Sequence, residues 1–144
     1  MSFWDSSALL PLSVDEPAST LMQQISQTHG VGVVWWGSLV ECHSAFERRT
    51  RAGQWTLPEK RQALRILHQL AGDWSEIQPV SDLCERALRL LAAHSLRAAD
   101  ALQLAAALLW AAERPAGRVF VCLDDRLREA AEQEGFTVLP DHAS

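Results

Sequence analysis

The stretch from Ser95 to Ala112, SLRAADALQLAAALLWAA, constrains the fold more than any other part of this chain. From Ala98 onward it is almost wholly apolar, the pattern of a helix buried on most sides. Asp100 nevertheless stands inside its first turn. An ionised carboxylate in such a place needs a cation, a hydrogen-bond donor or water, because burying it unpaired is costly. The positive end of the helix dipole is one source of relief. The other is a shared site, if further carboxylates reach the same place.

At 144 residues the chain has the commonest size for one domain and enough length to bury a core, so residues 1–144 read as a single domain. No apolar run approaches a membrane span. Met1–Leu12 lacks a basic n-region and meets Asp5 early, which does not read as a secretory signal. The expectation is an intracellular, cytoplasmic protein without membrane contact. Cys42, Cys84 and Cys122 are widely spaced in apolar surroundings and read as reduced, buried thiols, with no zinc spacing among them.

The net charge of −5 argues at first against a nucleic-acid partner. Its distribution is more informative. Lys60 is the only lysine, and Arg48, Arg49, Arg51, Lys60, Arg61 and Arg65 gather in one third of the chain. Arginine suits bidentate phosphate contacts, although a solvated helix face is the preferred reading of this cluster.

Along the chain, a short apolar strand stops at Asp5 and a new apolar run follows Ser6 and Ser7. A helix starts near Pro17 and ends at Gly30. Val31–Trp36 is β-branched and aromatic, a buried strand. Helices follow over 38–52, 57–74 and 82–94, with Glu76–Val80 as a short extended piece, and then comes the Asp100 helix. Arg118–Leu123 reads as a strand, Arg126–Glu134 as a helix and Phe136–Pro140 as the last strand. This alternation predicts an α/β fold, a three-layer α/β/α sandwich on a short, mostly parallel sheet of about four strands. Ligands of such sheets bind beyond the carboxyl ends of the strands.

Asp5 ends the first strand, Glu41 lies in the first turn of the helix after the second, Asp100 in the first turn of the apolar helix, and Asp124 at the end of the Arg118–Leu123 strand. All four should therefore face one edge of the sheet. Each also has a local explanation. Asp5 can cap the following turn, Ser38 and Glu41 match a capping box, and Asp124 or Asp125 can cap the last helix. Four caps brought together repel, at on the order of 1–4 kcal/mol per pair near a protein surface. A cluster persists with cations bound or protons taken up. An all-oxygen anionic pocket selects Mg²⁺ or Mn²⁺ over zinc, and such ions serve phosphoryl transfer. The metals would also reverse the local charge toward a phosphodiester. Of the scattered histidines His29, His43, His68, His94 and His142, only His43 lies close to a candidate ligand, Glu41.

FWDSSALLPL, SLVECHSAFER, LRAADALQLAAAL and FVCLDDRLREAAEQEGFTVL resemble, in order, the four acidic motifs of PIN-domain ribonucleases. The LRAADALQLA segment and the chain length look most like VapC-type toxins of bacterial toxin–antitoxin pairs. Carried over residue by residue, the resemblance implies Asp5, Glu41, Asp100 and Asp124 as metal-binding catalytic acids. It implies Ser7, with Ser6 beside it, as the small hydroxyl residue near the first acid. Arg97, three before the third acid, would meet substrate phosphate or an antitoxin carboxylate; a surface residue at a helix start is the alternative. Where relatives show one acid this chain has two, and alignment on Leu127–Ala131 favours Asp124 as the ligand, with Asp125 as a cap or a supporting acid behind it. The resemblance further implies Mg²⁺- or Mn²⁺-dependent endonucleolytic cleavage of RNA, a cognate VapB-like antitoxin and a homodimer. The antitoxin would use a groove lined by the Ala18–Gln27 and Leu39–Arg61 helices. Trp36 and Trp55 are candidate anchors there, with core packing as the other reading, preferred for Trp36.

Two other readings compete. An aspartyl phosphatase of the haloacid dehalogenase type also places Asp at the first strand end, but wants a second acid two residues on, where this chain has Ser7, and a lysine after a late strand. A non-catalytic PIN-like module that binds RNA or protein is the other.

Overall fold

The computed structural model describes residues 1–141, a range that leaves His142 outside it. The elements run β1 (Ser2–Trp4), α1 (Ser6–Ser13), α2 (Ser19–His29), β2 (Val33–Trp35), α3 (Ser38–Arg51), α4 (Leu57–Ala71), β3 (Ser75–Ile77), α5 (Ser81–Ala93), α6 (Ala98–Trp110), β4 (Val119–Val121), α7 (Asp125–Glu134) and β5 (Thr137–Leu139). The strands form one all-parallel sheet in the order β3-β2-β1-β4-β5.

The two-residue period of the strands divides the core. Phe3, Val33, Trp35 and Phe120 point to one face, where α5, α6 and α7 pack with Leu90, Leu104, Leu108 and Leu127. Trp4, Val34 and Val121 point to the other, against Leu9, Met22, Phe46 and Leu67 of α1–α4. Helices thus cover both faces, the arrangement parallel strands require, and the fold is a three-layer α/β/α sandwich. α6 packs on β2, β3, α5 and α7. Six of its residues from Gln103 to Leu108 are buried in succession, as its composition requires.

The sheet has five strands where about four were expected. The extended piece read at Glu76–Val80 is β3, paired with β2 from Val33↔Ser75 to Trp35↔Ile77. It is a half-exposed edge strand and carries no buried apolar run to announce it. The preceding helix stops at Ala71 with Gly72 as its cap, which lets the chain turn Trp74 into the core. The apolar run after Asp5 is helical. Among the described residues no helix is long and apolar enough to cross a membrane. Cys42 and Cys122 are buried free thiols, whereas Cys84 is an exposed one on α5, contrary to expectation. Trp36, expected in the core, is 47% exposed, resting edge-on against buried Trp35.

Strand order reverses at β1: the chain builds outward through β2 and β3, then returns to add β4 and β5 on the other side. The crevice between the carboxyl ends of β1 and β4 is the place where such sheets bind ligands.

Candidate functional site

Asp5 follows β1 directly and caps α1, its extended backbone turning the chain into the helix. Its Oδ2 accepts from the Ser7 amide at 3.2 Å, from the Ser7 hydroxyl and from the Cys122 thiol at 3.4 Å. The Ser7 hydroxyl oxygen accepts in turn from the Leu123 amide at 2.9 Å, so one serine ties the exit of β4 to the first acid. All three bonds fall on one carboxylate oxygen. Asp5 is only 3% exposed, and burial, aided by the charge of Asp100, pushes its carboxyl above the usual range.

Glu41 stands one turn into α3. The capping box expected with Ser38 does not form: the cap position is Gly37, and no side chain caps this helix. A side chain at Gly37 would collide with the Trp35 indole, so the turn from β2 into α3 keeps a glycine. Ser38 is instead the first helical residue and is fully buried. The Glu41 carboxylate reaches toward the sheet edge, where Oε1 accepts from the Ser6 hydroxyl at 3.2 Å and Oε2 from Gln103 Nε2 at 2.9 Å. Gln103 Nε2 also donates to Ser38 Oγ at 2.9 Å. Burial first, and then the charges of Asp5 and Asp100, raise the Glu41 carboxyl to about 7. Without a cation it is about half protonated near neutral pH.

Asp100 is half-buried in the first turn of α6. Burial and the charge of Asp124 raise its carboxyl, while Arg97 and Arg126 act the other way. Asp124 is an N-cap, its Oδ1 accepting from the Leu127 amide at 3.0 Å. Capping and site membership are therefore compatible, for Asp124 as for Asp5. One cavity of about 450 Å³ has Asp5, Glu41, Asp100 and Asp124 in its wall, together with Ser6, Ser7 and Arg48. Repulsion links the four in a chain, Glu41 with Asp5 and Asp100, Asp5 with Asp100, and Asp100 with Asp124.

Ser7 lines this cavity. Asp125 does not line it; it is the exposed first residue of α7. Arg97 is exposed at the N-terminus of α6 and acts on Asp100 by its charge. His43 lies elsewhere, its Nε2 3.0 Å from His68 Nε2. Three participants were not foreseen. Gln103, fully buried, orients Glu41; Cys122 supports Asp5; and Arg48 lines the cavity. A lone amide at Asp100 plus three, on an otherwise apolar helix, was the available signal for Gln103. Burial and the Asp5 carboxylate push the Cys122 thiol up, so it is a protonated donor.

Among the described residues no group of three or more His, Cys, Asp or Glu side chains has the arrangement that holds a metal ion. The donor set nonetheless fits a hard cation. It consists of carboxylates with hydroxyls beside them, three of the carboxyls being raised by burial and by one another's charge. Mg²⁺ keeps several waters and commonly takes only one or two carboxylates directly.

A second cavity, of about 670 Å³, lies between the end of α1, α2 and α4, with Leu12, Ser19, Gln23, Trp55, Gln62 and Ile66 in its wall. Trp55 packs on Phe46 with ring centroids 5.1 Å apart, under the Arg49 guanidinium at 5.2 Å.

No family model matches the chain, and no curated protein sequence matches it. Among solved structures, the crystal structure of PAE2754 from Pyrobaculum aerophilum is similar, with a TM-score of 0.67 over 96% of this chain and 88% of that one, at 17% identity. That likeness supports the fold.

Proposed function

We propose that this chain is a Mg²⁺- or Mn²⁺-dependent endoribonuclease of PIN type that hydrolyses RNA phosphodiester bonds. The observation that carries the reading is the convergence of Asp5, Glu41, Asp100 and Asp124 on one cavity beyond the carboxyl ends of β1 and β4. These four residues would hold the cation, which when bound supplies charge stabilisation of the phosphoryl oxygens and an acidified water. Asp5 is fixed for that task by Ser7 and Cys122, and Glu41 by Ser6 and Gln103. Arg48 in the cavity wall, with Arg97 and Arg126 near Asp100, supplies positive charge that attracts the phosphate backbone.

On the motif resemblance, the nuclease acts in the cytoplasm as the toxin of a toxin–antitoxin pair, as a homodimer. A VapB-like antitoxin would restrain it, and the groove bordered by α2, α4 and Trp55 has room for part of such a partner. The phosphatase reading lacks its parts. Ser7 occupies the place of the second acid, and Lys60 sits on α4 with its ammonium 3.0 Å from Glu47. A non-catalytic binding module is separated from the nuclease by turnover.

The test is incubation of mixed RNA with wild type and Asp100→Asn, with Mg²⁺ or with chelator. The proposal predicts cleavage by wild type with Mg²⁺ alone, and none by the variant. Equal cleavage by both proteins would refute the four-acid site. RNA binding without cleavage would favour the binding module.

A further inference from the structure

Outside the acidic cavity, two histidines from neighbouring helices meet ring to ring. His43 on α3 and His68 on α4 have Nε2 atoms 3.0 Å apart, ring centroids 5.2 Å apart and planes at 84°. His43 is half-buried and His68 exposed, so the meeting point opens to solvent. As it stands, one imidazole must donate an Nε2 hydrogen to the lone pair of the other, because two lone pairs or two hydrogens facing each other would repel. Both nitrogens thus point at one spot.

We infer that His43 and His68 form a binding site for a borderline transition-metal ion of the Zn²⁺ class, bridging α3 and α4. Metal–imidazole distances of about 2.0–2.1 Å in a tetrahedral shell put two ligand nitrogens about 3.3 Å apart. The observed pair needs to open by only a few tenths of an ångström, with the donating ring's hydrogen passing through solvent from Nε2 to Nδ1, so that both imidazoles bind as neutral ligands. Imidazole nitrogen suits Zn²⁺, Ni²⁺ or Cu²⁺ and not Mg²⁺, so this site and the all-oxygen cavity take different ions. Glu47, one turn along α3, acts on His43 by its charge and is held by Lys60 at 3.0 Å. Among the described residues no third His, Cys, Asp or Glu completes a cage, so water fills the remaining positions, as in an open zinc site. A bound ion would brace α3 against α4, the helix pair that carries Glu41 and Arg48 at the acidic cavity and Ile66 at the groove.

The experiment is calorimetric titration of Zn²⁺ into the full chain at neutral pH with Mg²⁺ in excess. Wild type, His43→Ala, His68→Ala, His29→Ala and Asp100→Asn are compared. The inference predicts one equivalent bound by wild type, His29→Ala and Asp100→Asn, and binding at least about tenfold weaker in each of the other two. It also predicts that Zn²⁺ shifts the imidazole proton resonances of His43 and His68 in wild type, a readout independent of how the variants fold. Unchanged isotherms in His43→Ala and His68→Ala, or no shift of those resonances, would overturn it. Loss of Zn²⁺ binding in Asp100→Asn alone would place the ion in the acidic cavity and equally overturn it.

Discussion

Gln103 Nε2 donates to Glu41 Oε2 at 2.9 Å, joining the middle of the most buried helix to the first turn of α3. The same nitrogen bonds Ser38 Oγ, and the amide oxygen on the other side, Gln103 Oε1, is buried without a partner among the described residues. A buried amide that leaves one of its own atoms unsatisfied in order to hold a carboxylate is a costly device. It is understandable if the orientation of Glu41 matters more than the comfort of Gln103.

Replacing Gln103 with methionine removes both donors and also the orphaned oxygen, at similar volume. Stability should change by no more than about 1 kcal/mol, since the lost bonds and the relieved desolvation oppose each other. RNA cleavage should fall about tenfold or more, because Glu41 loses one of its two anchors. Urea unfolding and cleavage rates of the same variant measure the two effects. A large loss of stability with unchanged turnover would make Gln103 a core residue only.

Glu41 makes the protein's stability pH-dependent in a defined direction. Its carboxyl is raised from an ordinary 4.5 to about 7, so between those values the folded chain binds a proton that the unfolded chain does not. The protonated form is favoured by folding, so stability falls as pH rises through about 7 and levels off above it. Asp5 and Asp100 are shifted in the same direction and add to the trend. Urea unfolding at about pH 5.5 and about pH 8.5, without divalent ions, should show a smaller difference for Glu41→Gln than for wild type. Equal differences would place the pH dependence elsewhere.

Asp5→Asn keeps a competent N-cap, because asparagine accepts from the Ser7 amide as aspartate does. Removing one charge from the repelling set should stabilise the metal-free chain by on the order of 1 kcal/mol. The same change should reduce cleavage at least about a hundredfold, in line with the several kcal/mol that metal-assisted stabilisation contributes. Thermal unfolding in chelator together with an RNA cleavage assay reads both.

Arg97 is exposed and holds the N-cap position of α6 by its backbone alone, its side chain making no cap hydrogen bond, so Arg97→Ala should leave stability within about 0.5 kcal/mol of wild type. RNA binding should weaken severalfold, with a shallower salt dependence. Fluorescence anisotropy with a short labelled RNA at two salt concentrations measures this. A marked loss of stability with unchanged RNA affinity would make Arg97 a structural residue.

The sandwich was legible because its central strands are short β-branched and aromatic runs separated by helices with Gly stops. The four acids were legible because each follows a strand or opens a helix. What escaped has local causes. β3 is an edge strand whose residues, Ser75, Glu76 and Ile77, carry no apolar alternation, and its pairing with β2 is fixed by tertiary contact. α1 has eight residues of mixed character, Pro11 among them, and it is held as a helix by the Asp5 cap and burial of Ala8 and Leu9 more than by propensity. The capping signature was assigned to Ser38 and Glu41, but the true capping box is Thr56 with Glu59, where the Glu59 carboxylate returns to the Thr56 amide at 3.1 Å. The same spacing serves two purposes, and only the surroundings decide: Glu41 faces a buried amide and the charges of Asp5 and Asp100, Glu59 faces solvent. Trp36 could not be distinguished from its neighbour Trp35 by residue type, since alternation places one inward and the next outward.

The central claim is that the four carboxylates form a cation site, and calorimetric titration of Mg²⁺ and Mn²⁺ into wild type and Asp100→Asn tests it most directly. The account predicts saturable binding to wild type that is lost in the variant. Absence of binding to wild type, or an identical isotherm for the variant, would show that the four acids do not form a cation site.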